Sequence, residues 1–412
     1  MCLWPISILC KTVFGGVSVR YVRSIAVVLV IGVVLGVVFG GGYLFGEFRA
    51  RPGATQTAAD FDLLWQVRDL LSAKFIGDPP GSQAQVYGAA NGLAAAYKDP
   101  YTVFVEPAPR RFERDEIRGH FGGIGARMGR NEAGELVLTV MRDKPAQRAG
   151  IQDGDILVAV DGKSITKEMT VQDVIGLVRG DEGSKVELTI ARGAQGAPFS
   201  VSVVRERIDT PSVEWRVLNE ADHLGYAKVA LFGERTNQEL QTALSELAAK
   251  GVDKLVIDLR GNGGGLVDAA VDITSQFLAD GYVLREQKRG GEERYFPVKR
   301  TTSPAHKWPI VVLVDAGTAS ASEIVAGALR DAGRAILIGE KTYGKGSVQE
   351  VHEFPDGSSL HVTVARWLTP QRNQIDKVGL QPDVQVGITA ADRDAGRDPQ
   401  LAKAQAWLMG EK

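Results

Sequence analysis

The pattern of apolar and polar residues divides the chain after residue 60 into regions of different character. Residues 61–76 (FDLLWQVRDLLSAKFI) carry apolar side chains at helical spacing, and residues 85–99 (QVYGAANGLAAAYKD) predict a second helix. Between residues 120 and 207 the pattern changes to short alternating strands with an Asp-Gly turn and a helix. It predicts a compact, mostly β domain of about 90 residues.

From residue 208 onward, apolar strands alternate with helices. Residues 237–251 form an amphipathic helix pattern closed by glycine, and strands are predicted at 223–232, 254–260, 309–316 and 335–340. Such alternation predicts a layered core in which helices cover a sheet. The fold class is therefore multidomain α/β.

The first part of the chain contains a long uncharged stretch at residues 24–46, and about 20 such residues span a bilayer. The flanking basic residues favour a cytoplasmic N-terminus: Lys11, Arg20 and Arg23 before the stretch, Arg49 and Arg51 after it. A cleaved signal peptide is the alternative, although its apolar region is usually only about 7–15 residues long. In either case we expect most of the chain to lie outside the cytoplasm.

These patterns predict seven successive segments. They are a cytoplasmic tail (1–23), a transmembrane anchor or signal segment (24–46), a linker (47–60), an N-terminal helical region (61–119), the β-rich domain (120–207), the layered core (208–390) and a C-terminal helical tail (391–412).

Composition excludes several classes of function. The chain has 44% apolar and 24% charged residues and a net charge of -2, so it lacks the basic excess of a nucleic-acid-binding protein. The two cysteines, Cys2 and Cys10, precede the uncharged stretch, which excludes a disulfide, a zinc site of cysteines or a cysteine nucleophile downstream. The five histidines lie in no recognisable metal or triad motif, and we expect neither a metal nor another cofactor.

Two glycine-rich segments resemble nucleotide-binding loops but depart from them. Residues 261–266 (GNGGGL) have Leu266 where a dinucleotide loop needs its third glycine. Residues 339–346 (GEKTYGKG) have Gly346 where a phosphate loop needs a hydroxyl, and a strand pattern follows instead of a helix. The first segment can instead form a tight turn or a nest of N–H groups that binds an anion.

Two readings are open for the serine-rich start of the helix at residues 317–331. Ser320 and Glu323 fit a capping box, which is a structural role. A helix N-terminus also presents free N–H groups that can stabilise an oxyanion, so Ser320 is a candidate nucleophile. Lys345, between two glycines after a buried strand, is a candidate base because burial of its amine would lower its pKa.

Residues 318–349 taken together resemble the signature of the carboxy-terminal processing peptidases, the serine–lysine tail-specific proteases of family S41. The resemblance extends through DPYT (99–102), DLRGNGGG (258–265) and VGLQPD (378–383). It implies a crotonase/ClpP-like core with Ser320 as nucleophile, Lys345 as general base and Gln349 as the residue that orients the amine. It also implies an oxyanion hole of the Gly264 and Ala321 N–H groups, and it leaves Ser322 as the structural helix cap. Asp315 stands near where relatives have asparagine, which leaves open how that loop is held.

The domain at residues 120–207 resembles a PDZ module. The resemblance implies a carboxylate-binding loop at Gly122, Gly123, Ile124 and Gly125, whose N–H groups would hold the C-terminus of a protein or peptide substrate. The alternative is a PDZ fold that only separates the other domains.

The family resemblance predicts a serine endopeptidase that processes or degrades extracytoplasmic proteins from unstructured or apolar C-terminal tails. It would be a bacterial inner-membrane protein with a single span and a periplasmic protease domain, or secreted if the signal is cleaved. An adaptor or a homo-oligomer would be further partners. The alternatives are a catalytically silent, membrane-anchored PDZ scaffold and a CoA-thioester enzyme on a crotonase-like core.

Overall fold

The computed structural model describes residues 54–193 and 196–411. The chain divides into two units, Met1–Gln85 and Val86–Lys412. Helix α1 (Ala54–Lys74) is followed by helix α2 (Ser82–Ala95). Helix α1 thus begins inside the segment predicted as a linker (47–60), where alanines and glutamine favour a helix.

The predicted tail (1–23) and anchor (24–46) lie outside the described residues. Among the residues that the structure does describe, none of the helices combines the length and the apolar character needed to cross a membrane.

The β-rich domain has a six-stranded antiparallel sheet, in which five strands follow the order β3-β4-β5-β7-β8 and β6 pairs with β5. Strand β2 pairs with β9, where the domain begins and ends. Leu138, Val174 and Leu188 lie in its fully buried core. The elements are β2 (His120–Gly123), β3 (Ala126–Arg130), β4 (Leu136–Val140), α4 (Pro145–Arg148), β5 (Ile156–Val160), β6 (Lys163–Ser164), α5 (Val171–Val178), β7 (Lys185–Ala191), β8 (Phe199–Val204) and β9 (Glu206–Asp209), preceded by β1 (Val103–Val105) and α3 (Pro107–Arg118).

The C-terminal core is a six-stranded sheet in the order β10-β11-β12-β15-β16-β19, antiparallel at β10–β11 and parallel elsewhere. This confirms the layered α/β core. The elements are β10 (Val213–Asn219), β11 (Leu224–Val229), α6 (Thr236–Ala249), β12 (Lys254–Asp258), α7 (Val267–Thr274), β13 (Tyr282–Lys288), β14 (Glu293–Pro297), a 3-10 turn (Pro304–Lys307), β15 (Ile310–Val314), α8 (Ala321–Asp331), β16 (Ala335–Gly339), β17 (Ser347–Glu353), β18 (Ser359–Leu368), β19 (Val384–Gln385), α9 (Ala390–Asp394) and α10 (Pro399–Leu408).

Strand β15 is buried along its whole length, as expected for a central parallel strand covered on both faces. Val312 and Val314 pack into the cluster that includes α6, α7 and α8. Val311 and Leu313 point to the other face, where Ala404 of α10 packs. Because β15 is held on both faces, the segment that begins after residue 314 starts at a fixed position at the end of the sheet.

A second, antiparallel sheet contains β1, β18, β13 and β14 in that order, and β17 also pairs with β18. The register of β17 and β18 places Gln349 opposite Thr363. The loop that carries Lys345 connects β16 of the first sheet to β17 of the second. The two sheets thus bring separate parts of the chain to one region.

Candidate active site

Ser320 is the residue at the N-cap of α8, and its backbone has φ 56° and ψ −118°. A non-glycine residue with positive φ costs about 1–3 kcal/mol, so the surrounding contacts must hold it there. The side chain is partly exposed. Only one half of the predicted capping box is formed: the Glu323 carboxylate accepts from the Ser320 N–H. The Glu323 N–H donates to the Ser320 carbonyl oxygen (2.9 Å) and not to the hydroxyl, which forms no cap hydrogen bond. The hydroxyl is therefore available for another partner.

The prediction that Ser322 caps the helix is wrong. Helix α8 begins at Ala321, which puts Ser322 inside the first turn. Its hydroxyl donates to the carbonyl oxygen of Asn262 at 2.9 Å, and the side chain is fully buried. Ser322 is structural, as expected, but it joins the helix to the glycine-rich loop.

The loop before Ser320 is held by the carboxylate of Asp315. Asp315 Oδ1 accepts hydrogen bonds from the N–H groups of Gly261 (2.8 Å) and Gly317 (2.9 Å). Aspartate thus closes its own turn and ties that turn to the glycine-rich loop. This explains how the loop is held with aspartate at this position.

Asn262, which the sequence analysis did not single out, organises the glycine-rich loop. It is completely buried, and its amide donates to the carbonyl oxygen of Val229 at 2.8 Å. Its Oδ1 accepts from the Gly264 N–H (2.8 Å), and its carbonyl oxygen accepts from the Ala319 N–H (3.0 Å). Both loops of the site are therefore fixed through one side chain and its backbone.

Gly264 lies directly against Ser320. A Cβ added to Gly264 would be 2.8 Å from both Ser320 Cβ and the Ala319 carbonyl oxygen, and its φ of 108° also favours glycine. The Ala321 N–H donates no hydrogen bond within the described chain, whereas the Gly264 N–H is bound to Asn262. The structure thus brings the two predicted oxyanion donors together and leaves one of them free.

Glu323 joins the serine segment to the lysine segment. Its buried carboxylate accepts from the Ser320 N–H (3.0 Å) and the Lys345 N–H (2.9 Å) through Oε2. Oε1 accepts from the Gly344 N–H (2.8 Å) and the Thr342 hydroxyl. Burial raises the pKa of Glu323, and these hydrogen bonds oppose the shift because they favour the charged form. Sequence alone indicated only a capping role for this residue.

The glycines beside Lys345 allow its loop to approach the following segment closely. A Cβ on Gly344, which has φ 91°, would lie 2.9 Å from the Gly379 N atom. A Cβ on Gly346 would lie 2.1 Å from the Asp376 N atom. The loop could not pack this way with larger residues, and the packing half-buries Lys345.

Burial lowers the pKa of the Lys345 amine, and the carboxylates of Glu113 and Asp99 oppose this effect. Lys345 Nζ lies 4.9 Å from the centre of the Tyr101 ring, a contact that favours the charged ammonium. Tyr101 belongs to the DPYT segment, and burial is the main cause that raises its own pKa to about 12. Between the described residues Ser320 and Lys345, no hydrogen bond joins Oγ to Nζ.

Gln349 lies near this loop on β17 but is not hydrogen-bonded to Lys345. Its Nε2 donates to Ser347 Oγ at 2.8 Å and to Thr363 Oγ1 at 3.2 Å. The structure therefore places the three predicted catalytic residues on adjoining segments without joining their side chains.

A cavity of about 730 Å³ adjoins this region. Tyr101, Ser347 and Thr363, which contact Lys345 or Gln349, form part of its wall. Much of the remaining wall is apolar, with Leu93 and Phe354 among its residues. The cavity is large enough to receive apolar side chains of a peptide.

The predicted carboxylate-binding loop lies at the junction of β2 and β3. Gly122 and Gly123 are in β2, Ile124 is buried, and Gly125 has φ 69°. The N–H groups of Ile124 and Gly125 donate no hydrogen bond to other residues of the described chain. Strand β3, which follows, is at the edge of its sheet, so an added peptide strand can pair with it.

Family models match two parts of the chain. The model for Peptidase family S41 matches residues 223–386, and the model for the PDZ domain matches residues 136–192. The first match contains Ser320, Lys345 and Gln349, and the second lies within the domain predicted at 120–207.

Several named proteins are similar in sequence. The carboxy-terminal processing protease CtpA of Bacillus subtilis is 31% identical over 95% of this chain and 82% of its own length. The carboxy-terminal-processing protease of Bartonella bacilliformis is 34% identical over 79% of this chain and 75% of its own. A probable CtpA-like serine protease of Staphylococcus haemolyticus is 36% identical, but the chain spans only 59% of its length.

A solved structure titled photosystem II D1 C-terminal processing protease has 32% identity, covers 80% of this chain and 89% of its own, and superposes with a TM-score of 0.46. The relatives are carboxy-terminal processing proteases, which are hydrolases. The chain belongs to the serine peptidases of family S41 and carries a PDZ domain.

Proposed function

We propose that the chain is a serine endopeptidase that uses Ser320 and Lys345, with Gln349 in support, to cleave proteins whose unstructured or apolar C-terminal tails its PDZ domain binds. The observation that carries the proposal is the arrangement around Glu323. Its Oε2 atom holds the Ser320 N–H at 3.0 Å and the Lys345 N–H at 2.9 Å, so one oxygen joins the nucleophile and base segments.

In this mechanism the neutral Lys345 amine takes the proton from Ser320 Oγ, which attacks the substrate carbonyl carbon. The two atoms must first come within about 2.6–3.2 Å, because no hydrogen bond joins them in the described chain. Burial supports the neutral amine by lowering the Lys345 pKa.

The Ala321 N–H and the Gly264 N–H stabilise the negative charge on the carbonyl oxygen. For this the Gly264 N–H exchanges its hydrogen bond to Asn262 Oδ1 for one to the oxyanion. The lysine ammonium then protonates the leaving amine. The same lysine then removes a proton from water, and the hydroxide attacks the ester carbon. The bond from that carbon to Ser320 Oγ breaks, Oγ takes the proton back from the lysine ammonium, and the acyl group leaves as a carboxylic acid.

The test uses the purified full chain and an unstructured reporter protein with an apolar C-terminal tail. Ser320→Ala and Lys345→Ala remove the nucleophile and the base, and we expect cleavage to fall by at least about 10³-fold in each. Ser322→Ala is the matched control and retains cleavage, because the Asn262 carbonyl oxygen keeps its hydrogen bond from the Ala319 N–H and the Asn262 side chain keeps its bonds to Val229 and Gly264. Cleavage that survives Ser320→Ala contradicts the assignment.

Binding of tails by the PDZ domain is supported by the free N–H groups of Ile124 and Gly125 and by the open edge of β3. Amidation of the reporter's C-terminus removes the carboxylate and leaves the scissile site intact. We expect KM to rise by about tenfold with kcat little changed, which is the behaviour of a uniform binding interaction. An unchanged KM would mean that the domain only separates the others.

A catalytically silent scaffold is the second candidate, because Ser320 Oγ and Lys345 Nζ are not hydrogen-bonded in the described chain. It predicts that the full chain binds the tail peptide but never cleaves the reporter at any pH. Cleavage that depends on Ser320 rejects it.

We also propose that residues 24–46 anchor the chain in a bacterial inner membrane with the protease on the periplasmic side. The support is the uncharged length of this stretch and the basic residues before it. Protease added to intact spheroplasts should degrade the region after residue 60. Protection of that region would contradict the orientation.

A further inference from the structure

Gln349 lies at the end of a chain of hydrogen bonds that begins at Asp99. The Thr102 hydroxyl donates to Asp99 Oδ2 at 2.7 Å, and the same oxygen of Thr102 accepts from the Thr363 N–H at 3.2 Å. The Thr363 hydroxyl also faces the Asp99 carboxylate and, as a donor, helps to lower the pKa of Asp99. Gln349 Nε2 is 3.2 Å from Thr363 Oγ1 and 2.8 Å from Ser347 Oγ.

The charge of Asp99 indicates the direction of the hydrogen bonds at the Thr363 side chain. An ionised carboxylate only accepts, so the Thr363 hydroxyl must donate its proton to Asp99. Burial raises the pKa of Asp99, but hydrogen bonds from Thr102, Thr363 and the backbone outweigh it and lower the pKa, which keeps the group ionised. The Thr363 oxygen is then left to accept, and only the NH₂ group of Gln349 can donate to it.

We propose that Asp99 and Thr363 are positioning residues that fix the orientation of the Gln349 amide. With Nε2 held by Thr363 and Ser347, Oε1 is the amide atom left to accept a hydrogen bond from the Lys345 amine. The reverse orientation would present NH₂ to the lysine, and two donors would face each other. This inference rests on the proposed role of Gln349 in orienting Lys345.

Asp99 also acts on Lys345 directly, and the test must separate the two effects. The carboxylates of Asp99 and Glu113 both oppose the lowering of the Lys345 pKa by burial. Arg110, on the same helix as Glu113, and His361 on β18 face the same region, and His361 interacts with Lys345 and Glu113. Asp99→Asn therefore changes both charge and orientation, whereas a change at Thr363 leaves the charges as they are.

The first experiment compares Thr363→Val, Thr363→Ser and Thr242→Val in the full chain, with kcat and KM measured on the reporter protein across pH. Thr363→Val keeps the shape but removes the hydroxyl, so we expect kcat to fall about tenfold at every pH, with KM within about twofold. Thr363→Ser keeps the hydroxyl and restores kcat. Thr242, whose hydroxyl bonds to Gln238 of its own helix, is the matched control and leaves kcat unchanged.

The second experiment combines Asp99→Asn with Thr363→Val. If both act through one amide, Asp99→Asn lowers the high-pH plateau of kcat in the wild type but not in the Thr363→Val background. It also moves the rise of activity to lower pH in both backgrounds, because it removes a carboxylate near Lys345. Additive losses in the plateau, or a Thr363→Val enzyme with normal kcat, overturn the proposal.

These outcomes are distinct from failure of the proposed function. If the wild type is inert, or if cleavage survives Lys345→Ala, the lysine mechanism itself is wrong, and the chain of hydrogen bonds from Asp99 to Gln349 has no catalytic amine to orient. If cleavage depends on Lys345 but not on the Thr363 hydroxyl, only the positioning role is wrong.

Discussion

Replacement of Glu323 by glutamine tests whether one buried carboxylate holds the active site together. The variant keeps the shape of the side chain but turns one acceptor oxygen into an NH₂ donor. Each carboxylate oxygen accepts two hydrogen bonds: Oε1 from Thr342 and the Gly344 N–H, Oε2 from the N–H groups of Ser320 and Lys345. In either orientation the new NH₂ group faces at least one backbone N–H that cannot pair with it.

The cost can be worked from these hydrogen bonds. A buried polar group without a partner costs about 1–3 kcal/mol. The Thr342 hydroxyl can turn to accept from the new NH₂, but its own proton then loses its acceptor, so the least costly orientation leaves two buried donors, the Gly344 N–H and the Thr342 O–H, without their partner. We therefore expect the free energy of unfolding to fall by about 2–6 kcal/mol, from about 1–3 kcal/mol for each donor. The remaining neutral amide oxygen accepts the Ser320 and Lys345 N–H groups more weakly than a carboxylate does. Because both segments are then held less firmly, kcat should fall about ten- to a hundredfold, with 1.36 kcal/mol per factor of ten.

The assay combines urea unfolding with kcat on the reporter protein at neutral pH. Glu239→Gln is the matched control. This partly buried carboxylate accepts hydrogen bonds from the Ser212 N–H (2.7 Å) and the Ser212 hydroxyl (2.8 Å). Ser212 lies beside β10, the strand at the opposite edge of the sheet from β19. It should lose similar stability and keep its kcat. If Glu323→Gln loses stability but cleaves at the wild-type rate, or if both variants lose kcat equally, Glu323 does not position the site.

Gly264→Ala places a Cβ 2.8 Å from the Ala319 carbonyl oxygen, and we expect kcat to fall by at least about 100-fold while tail-peptide binding, measured by fluorescence anisotropy, is unchanged. Glu113→Gln removes a carboxylate that opposes the lowering of the Lys345 pKa, so the rise of kcat with pH should move to lower pH; a move to higher pH would contradict lysine as the base. Arg260→Ala removes the guanidinium whose Nη2 atom lies 2.6 Å from Oδ2 of the buried Asp258. In urea unfolding the free energy of unfolding should fall by about 3–5 kcal/mol, and a fall below about 1 kcal/mol would refute the importance of this ion pair.

Sequence reasoning succeeded where the residues that determine a structure are contiguous along the chain. The apolar run of β15 followed by small residues predicted a buried strand and the helix after it, and the glycines around Lys345 predicted a tight approach. The PDZ-like strand pattern likewise needed only local alternation. In each case neighbours in sequence determine the structure.

It failed where a side chain finds a partner far along the chain. Glu323 has the local spacing of a cap residue, yet most of its hydrogen bonds come from residues 342–345. Tyr101 contacts Lys345 across more than half of the folded chain, so no periodicity could indicate the pair. The same limit explains Ser322, because its choice between capping and bonding to Asn262 depends on where the glycine-rich loop lies.

The backbones of the active site are held in place, whereas the Lys345 amine is not yet bonded to the Ser320 hydroxyl. The backbones of Ser320 and Lys345 are fixed to the same Glu323 oxygen, and Gly264 lies against Ser320. By contrast, the Lys345 amine rests against the Tyr101 ring. Lysine reaches different positions by rotation about its side-chain bonds, with no change of backbone. We infer that the hydroxyl and amine meet by rotation of one side chain within a preformed backbone, and substrate that displaces the amine from the Tyr101 ring would favour that rotation.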